Sequence, residues 1–203
     1  MYISRIFIFS LLTIAFASCQ APAPEAEKAS ESTVPTEQKT SSTPLERGNR
    51  ITFEAQGALL GQVSQAIQQG GPQYAIGYCS LKANPILDSV AKKEKVSIQR
   101  LALRHRNPNN YLKTPEDSAV YLSFEKALAA GQPAPAILKT TAEGRYFYKP
   151  IVMGMEACLK CHGSPKKQIN AATLGAIAKV YPNDKAVNFA LGDLRGMWKI
   201  ELD

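Results

Sequence analysis

Cys158 and Cys161 stand three positions apart in "EACLKCHG", and His162, one of only two histidines in the chain, follows at once. Three chemistries compete for that spacing. A redox dithiol wants its pair at a helix start in an electropositive, part-exposed setting, and it has no use for a histidine as the next residue. A zinc site needs four tetrahedral ligands. No second paired motif occurs, and adjacent Cys161 and His162 cannot easily both reach one metal. Covalent c-type haem attachment uses all three residues. Each thiol adds to a haem vinyl group, the two-residue spacer spans the vinyls on one helical turn, and His162 falls beneath the iron as axial ligand. One covalent haem c per chain is the expectation.

The second axial position has five candidates: Cys79, Met153, Met155, Met197 and His105. Methionines more often fill cores than bind metals. His105 lies in "RHR", a setting that suits an exposed loop. Cys79 is a thiol left over once the other three cysteines are assigned, and it falls on the apolar face of a helical pattern beside the small residues Ala75, Gly77 and Ala83. A thiolate there would be stabilised by the charge of ferric iron. As a small hydrophobe it would simply be buried. Arg104 and Arg106 could balance haem propionates, because the guanidinium fork matches a carboxylate.

Haem attachment of this kind belongs to exported proteins, and the N-terminus agrees. Arg5 precedes the apolar run "IFIFSLLTIAF" from Ile6 to Phe16, and Ala17 and Ser18 lead into Cys19. Residues 1–18 read as a signal peptide, too short for a comfortable transmembrane span. The small residues before Cys19 resemble a lipobox, so Cys19 is expected to be lipidated. Gln20 after it points to the outer membrane, on the periplasmic side of the cell envelope. From Gln20 to Arg47 the chain is rich in Ala, Pro, Glu, Ser and Thr, without an aromatic residue. Such a segment cannot offset its ordering entropy and reads as a disordered tether (with Cys19, residues 19–47) reaching about 30 Å.

Residues 48–203 are the size of one domain. From Gly48 onward 20 lysines and arginines face 12 acids, a formal +8. In an exported protein that balance argues for an acidic redox partner or an anionic surface rather than nucleic acid. The elements that must position the motif follow from periodicity. Residues 49–70 and 73–93 read as helices separated by "GGP", with Pro85 expected to kink or break the second. Val96 to Arg104 alternates as a half-buried strand. Thr114-Pro115 opens a helix to about Ala130. Residues 136–141 and 145–153 form a hairpin, a helix spans about 168–180, and Leu194 to Leu202 is the last strand. The fold class is α+β with a mostly antiparallel sheet.

Four blocks, "AIGYCSLKANPI" (75–86), "RHRNPNN" (104–110), "KPIVMGMEACLKCHG" (149–163) and "YPNDKA…GDLRGMWKIEL" (181–202), together resemble the single-haem c-type domains of PAS-like fold first described from cyanobacteria. The resemblance spans nearly all of residues 48–203. It implies a PAS-like antiparallel sheet with long N-terminal helices, a covalent haem, and His and Cys as axial ligands, which map onto His162 and Cys79. The chain departs from the pattern in having "ANP" where Ala-Pro is usual after the cysteine.

A thiolate ligand lowers the potential of haem iron, whereas His/Met ligation raises it. The expected function is therefore a membrane-tethered, low-potential one-electron carrier, or a redox or gas sensor acting through a separate partner. The alternative is a haem enzyme such as a peroxidase, which needs an open distal side with an acid–base group. Catalysis is the less expected of the two.

Overall fold

A computed structural model describes residues 42–202. The stretch read as a signal peptide, Cys19 and nearly all of the expected tether lie outside the described residues.

The first element, α1 (Pro44–Glu94), is a helical hairpin. Its two arms, residues 44–69 and 72–94, meet at Gly70 and Gly71, the only non-helical backbone inside it. Gly71 has φ +75° and ψ 178°, a conformation open to glycine and strained for other residues. Pro72 then suits the first turn of the second arm, where its missing N–H costs nothing. Cross-arm pairs show that the arms run back along each other: Arg50 holds Glu94 at 2.7 and 2.6 Å, Lys93 holds Glu54 at 2.7 Å, and the Tyr78 hydroxyl donates to Gln62 at 2.5 Å. The two expected helices and their Gly-Gly-Pro stop are thus present. Pro85 does not break the second arm, whose backbone stays helical through "ANP". The first arm starts at Pro44, inside the stretch read as tether. Thr43 and Glu46 form a reciprocal capping box there, and Arg47 donates to the carbonyls of Leu202 and Glu94, both at 3.0 Å.

Four strands, β1 (Ser97–Leu101), β2 (Ile137–Thr141), β3 (Gly144–Val152) and β4 (Leu194–Glu201), form one sheet in the order β1-β4-β3-β2. Every neighbouring pair is antiparallel. Helix α2 (Pro115–Ala129) follows β1 after a 3₁₀ turn at Pro108–Asn110, and α3 (Glu156–His162) and α4 (Ala171–Val180) lie between β3 and β4. The fold is α+β, as the sequence implied.

The helical hairpin covers one sheet face, where Ile51, Ala55, Leu59, Leu87 and Val90 pack on Phe147, Trp198, Ile200 and Leu202. The approach is close at Gly48: a Cβ there would stand 2.3 Å from the Phe147 ring. Helix α2 covers the other face, packing Val120, Tyr121 and Phe124 on Leu101, Tyr148, Leu194 and Met197. Burying each such large side chain contributes about 1.5–3 kcal/mol. Pairing between β3 and β4 slips at one point. Ile151 faces Gly196 while Val152 faces Leu194, so Arg195 is an extra residue in β4, a bulge of the kind that re-aims a side chain.

Candidate functional site

Helix α3 carries the motif. Cys158 and Cys161 sit one turn apart, both half-buried, and Leu159 between them is buried as the anchor. Gly163 ends the turn. A Cβ there would meet Gln168 Oε1 at 2.4 Å and the Leu159 carbonyl at 2.7 Å, so the chain can turn under α3 only with glycine at this position.

His162 points its Nδ1 at the Ala186 carbonyl oxygen, 2.8 Å away. A carbonyl can only accept, so Nδ1 carries the hydrogen and Nε2 keeps its lone pair. Burial pushes the imidazole well below its ordinary pKa, and the nearby charges of Arg195, Arg106 and Arg100 push the same way. The ring is therefore neutral, which is the form that ligates metals. Phe189 stands edge-on to it, with centroids 6.2 Å apart.

The acceptor carbonyl is itself held firmly. Arg106 grips Asp184 through Nε at 3.1 Å and a terminal nitrogen at 3.0 Å. The same nitrogen donates to the carbonyls of Cys161 at 2.7 Å and Ala186 at 3.2 Å. Asp184 accepts the Ala186 N–H at 2.9 Å. The segment 184–189 is also laced to α3 by Asn188 N–H to the Gly163 carbonyl (2.8 Å) and Phe189 N–H to the His162 carbonyl (2.9 Å). Arg104 donates to the Val187 carbonyl and sits over the Phe189 ring, its guanidinium carbon 3.7 Å from the centroid. Both arginines of "RHR" thus engage the backbone that orients His162. The ion pair of Arg106 and Asp184 is largely buried, at 10% and 7% side-chain exposure, so losing one partner would leave an uncompensated charge.

Cys79 lies half-buried on the second arm of α1. One turn before it, Ile76 packs with Ile169, Ile177, Leu174 and Cys161, joining α1, α3 and α4 in one apolar cluster. Burial pushes the Cys79 thiol up, while the charges of Arg100 and Arg106 pull it down. Its charge also reaches Cys161, whose own thiol is pushed up mainly by burial. The leftover cysteine and the CxxCH motif therefore share one locality, although 82 residues of sequence separate Cys79 from Cys161.

The other ligand candidates fall differently. Met153 is buried beside the motif with Leu159, Ala186 and Phe189. Met155 caps α3 and is 51% exposed. Met197 belongs to the α2 face. His105 is not on an exposed loop: it is buried, its ring edge-on to Tyr111 with centroids 5.4 Å apart. Its own carbonyl accepts the Lys185 N–H at 3.0 Å. That bond draws the segment inward, and the flanking arginines are spent on residues 184–189. Among the described residues no group of three or more His, Cys, Asp or Glu side chains is placed to hold a metal ion by itself.

Two residues escaped the sequence reading. Arg100 in β1 and Arg195 at the β4 bulge are charge neighbours of His162, and the Nε of each is buried without a hydrogen-bond partner. A signal for Arg100 existed, because it shares strand parity with the apolar Val96, Ile98 and Ala102. None existed for Arg195, whose direction depends on the bulge.

The model of the Tll0287-like family matches residues 25–202. The chain belongs to the Tll0287-like family. Among solved structures, the crystal structure of the cyanobacterial heme-protein Tll0287 has the same fold, with a TM-score of 0.59 at 24% identity, covering 79% of this chain and 96% of that one. No curated protein matches the chain. The Tll0287-like match includes the cysteine arm, the motif helix and the bulged strand, so every element described around His162 lies inside it.

Proposed function

We propose that this chain carries one haem, bound covalently through Cys158 and Cys161 with His162 and Cys79 as axial ligands, and that it exchanges single electrons at low potential. The observation that carries the reading is the setting of His162. Its Nδ1 hydrogen is committed to a clamped carbonyl, its ring is neutral, and Ile76, one turn before Cys79, belongs to the apolar cluster against which Cys161 packs. That donor set suits haem iron: one neutral imidazole with a fixed tautomer, one sulfur ligand, and two thiols to attach the ring. Membership of the Tll0287-like family, which has a heme-protein of known structure, supports the same cofactor.

Bound haem supplies an Fe(III)/Fe(II) couple. The chain's residues do the rest. Ala186 and Arg106 keep Nε2 of His162 aimed and unprotonated. Ile76, Ile169 and Ile177 limit water on the Cys79 side. Cys79, as an electron-rich sulfur ligand, holds the potential below that of a His/Met site. The exposed Lys160, Lys166 and Lys167 around the motif favour an acidic redox partner, with a lipid on Cys19 keeping the domain at the periplasmic side of the outer membrane. Sensing is the second form of this reading, supported by the PAS-like resemblance. On reduction a weakened bond to Cys79 would open a place for a small ligand.

The test is electron paramagnetic resonance of the ferric holoprotein beside Cys79→Ala. A low-spin thiolate signature that disappears in the variant supports the assignment. An identical spectrum in both removes Cys79 from the iron. Robust peroxide turnover by the unaltered holoprotein would instead favour a haem enzyme with an open distal side. Failure to acquire colour with haem-attachment machinery present would sink the haem reading altogether.

A further inference from the structure

Four arginines, Arg100, Arg104, Arg106 and Arg195, converge on the region of His162, and the carboxylate paired within this group is that of Asp184. They divide into two kinds. Arg104 and Arg106 are engaged with the segment 184–189, as described above. Arg100 and Arg195 have no carboxylate partner among the described residues, and each hides its Nε from both water and protein acceptors. Arg195 makes one bond, to the Arg104 carbonyl at 3.3 Å, and its guanidinium stands 5.6 Å from the Phe189 ring centroid. Burial pushes its pKa down to about 10, with the charges of Arg106 and Arg100 adding to the effect. Both side chains are half-buried, with the Nε of each sealed and unmatched, and a buried donor without an acceptor is costly, so two of them beside one site have a use for acceptors there.

Position points the same way. Arg100 projects from β1 on the side of Ile98 and Trp198, toward the hairpin arm that bears Cys79. It also borders an open cleft of about 380 Å³ between that arm and β1, an outlet through which a carboxylate could keep contact with water. Arg195 is turned out of the strand alternation by the bulge, toward Phe189 and the His162 side. The two therefore flank the site from different strands. Four positive charges less Asp184 leave three to be balanced. Two propionate carboxylates would balance two of them, since a Cys79 thiolate would be matched by the net positive charge of ferric haem.

We infer that Arg100 and Arg195 are the seat of the two haem propionates, one carboxylate to each guanidinium, while Arg104 and Arg106 serve as positioning residues for His162. The inference rests on the haem reading above and assigns the propionates to different arginines from those the sequence suggested. Arginine offers a carboxylate two parallel N–H donors, including the Nε left over here. Lysine would supply the charge without the fork.

The experiment uses the full-length holoprotein matured with covalent haem, with Arg100→Gln, Arg195→Gln and the two lysine variants. Haem content is read first as the pyridine haemochrome, because attachment through Cys158 and Cys161 does not need the arginines. The propionate-bending region of the resonance Raman spectrum is then compared, together with the reduction potential. We expect one propionate band to move in each glutamine variant, both to move in the double variant, and the potential to fall as positive charge is lost. The lysine variants should restore part of the potential but not the band position. Haem-loaded glutamine variants with unmoved bands would overturn the assignment while leaving the haem reading intact. Absence of haem from the unaltered protein would overturn both, and the haemochrome separates the two failures. If the glutamine variants do not accumulate, a crystal structure of the unaltered holoprotein decides. Propionate oxygens within hydrogen-bond distance of Arg100 and Arg195 support the assignment, and propionates held elsewhere overturn it.

Discussion

On the α2 face of the sheet, Asp117 is fully buried and its carboxylate is surrounded by donors. The Tyr148 hydroxyl and the Lys199 ammonium reach one oxygen, both at 2.9 Å, and the backbone N–H groups of Lys113 and Thr114 reach the other at 3.2 and 3.1 Å. Lys199 rests over the rings of Tyr146 and Tyr148 as well. On the side bearing α3, the buried charges are mostly cations, and Arg100 and Arg195 keep nitrogen atoms with no acceptor. The first region pairs its own charges around a wholly buried carboxylate, whereas Arg100 and Arg195 are half-buried and keep unmatched donors. A charge network closed within the protein specifies and stabilises a fold. One left open in the interior is shaped for something the protein must acquire. The contrast teaches which polar clusters to read as scaffold and which as site.

The sharpest break of that contrast is replacement of both Cys158 and Cys161 by serine. Covalent haem should be lost completely, read as the disappearance of haem-linked colour from the denatured, washed polypeptide. The α2 face contains neither thiol, so near-ultraviolet circular dichroism from Tyr121, Tyr146 and Tyr148 should keep its sign and shape. A variant that still carries covalent haem would refute the attachment sites.

Asp117→Asn attacks the closed network and should do the reverse. It leaves Lys199 without its counter-charge, at a cost of about 3–5 kcal/mol in a denaturant titration, while the visible spectrum of the haem stays unchanged. The pH dependence has a definite sign. Burial raises the Asp117 pKa, but the bonds from Lys199 and Tyr148 outweigh it and the carboxyl ends below its ordinary value. A depressed carboxyl contributes stability that is present above its unfolded pKa of roughly 3.9 and is lost as pH falls through the folded value. Acid unfolding should therefore shift to higher pH once Asp117 is removed, with little change in that contribution between neutral pH and about pH 5. An unaltered acid midpoint in Asp117→Asn would show that the network is not what acid breaks.

Gly48→Ala should have a smaller effect. The new methyl would collide with the Phe147 ring, which is wholly buried between the hairpin and the sheet. Overpacking of this kind costs about 1–3 kcal/mol. The loss should appear in the thermal midpoint, and the axial-ligand spectrum should not move, because Gly48 touches the first arm's seat and Cys79 rides on the second arm.

Much of this arrangement was legible in the sequence, and the reasons differ from element to element. The hairpin arms, the Thr114 cap and the first strand announced themselves through local chemistry: Gly-Gly-Pro, Thr-Pro-Glu-Asp, and the period-two alternation of Val96 to Arg104. The CxxCH turn did so too, since its cysteines stand one helical turn apart in the sequence itself. Local signals failed where direction depends on distant contacts. Pro85 reads as a breaker, yet the arm packed by Leu87 and Val90 remains helical around it. "RHR" reads as solvent-facing, yet His105 is buried and both arginines reach residues some 80 positions away. The Ala186 carbonyl that sets the tautomer of His162 is a backbone atom, so side-chain identity carries no trace of it. Arg195 depends on a bulge defined only by its pairing with Ile151 and Val152.

The smallest expected effect provides the control for reading charges by their surroundings. Arg50 and Glu94 form a two-bond pair across the hairpin, at 2.7 and 2.6 Å, with geometry as good as any in the molecule. Arg50 is 53% exposed, however, so water and salt screen it, and such pairs contribute about 0–1 kcal/mol. Arg50→Ala should therefore lower the denaturation midpoint only slightly, and the difference should shrink as ionic strength rises and the Debye length falls to about 3 Å at 1 M salt. Asp117→Asn should keep most of its cost under the same conditions, because its partners are shielded from mobile ions. If the two variants lost stability equally and responded alike to salt, bond length would be the better guide to a charge's role than burial, and the distinction between the closed and open clusters would fail with it.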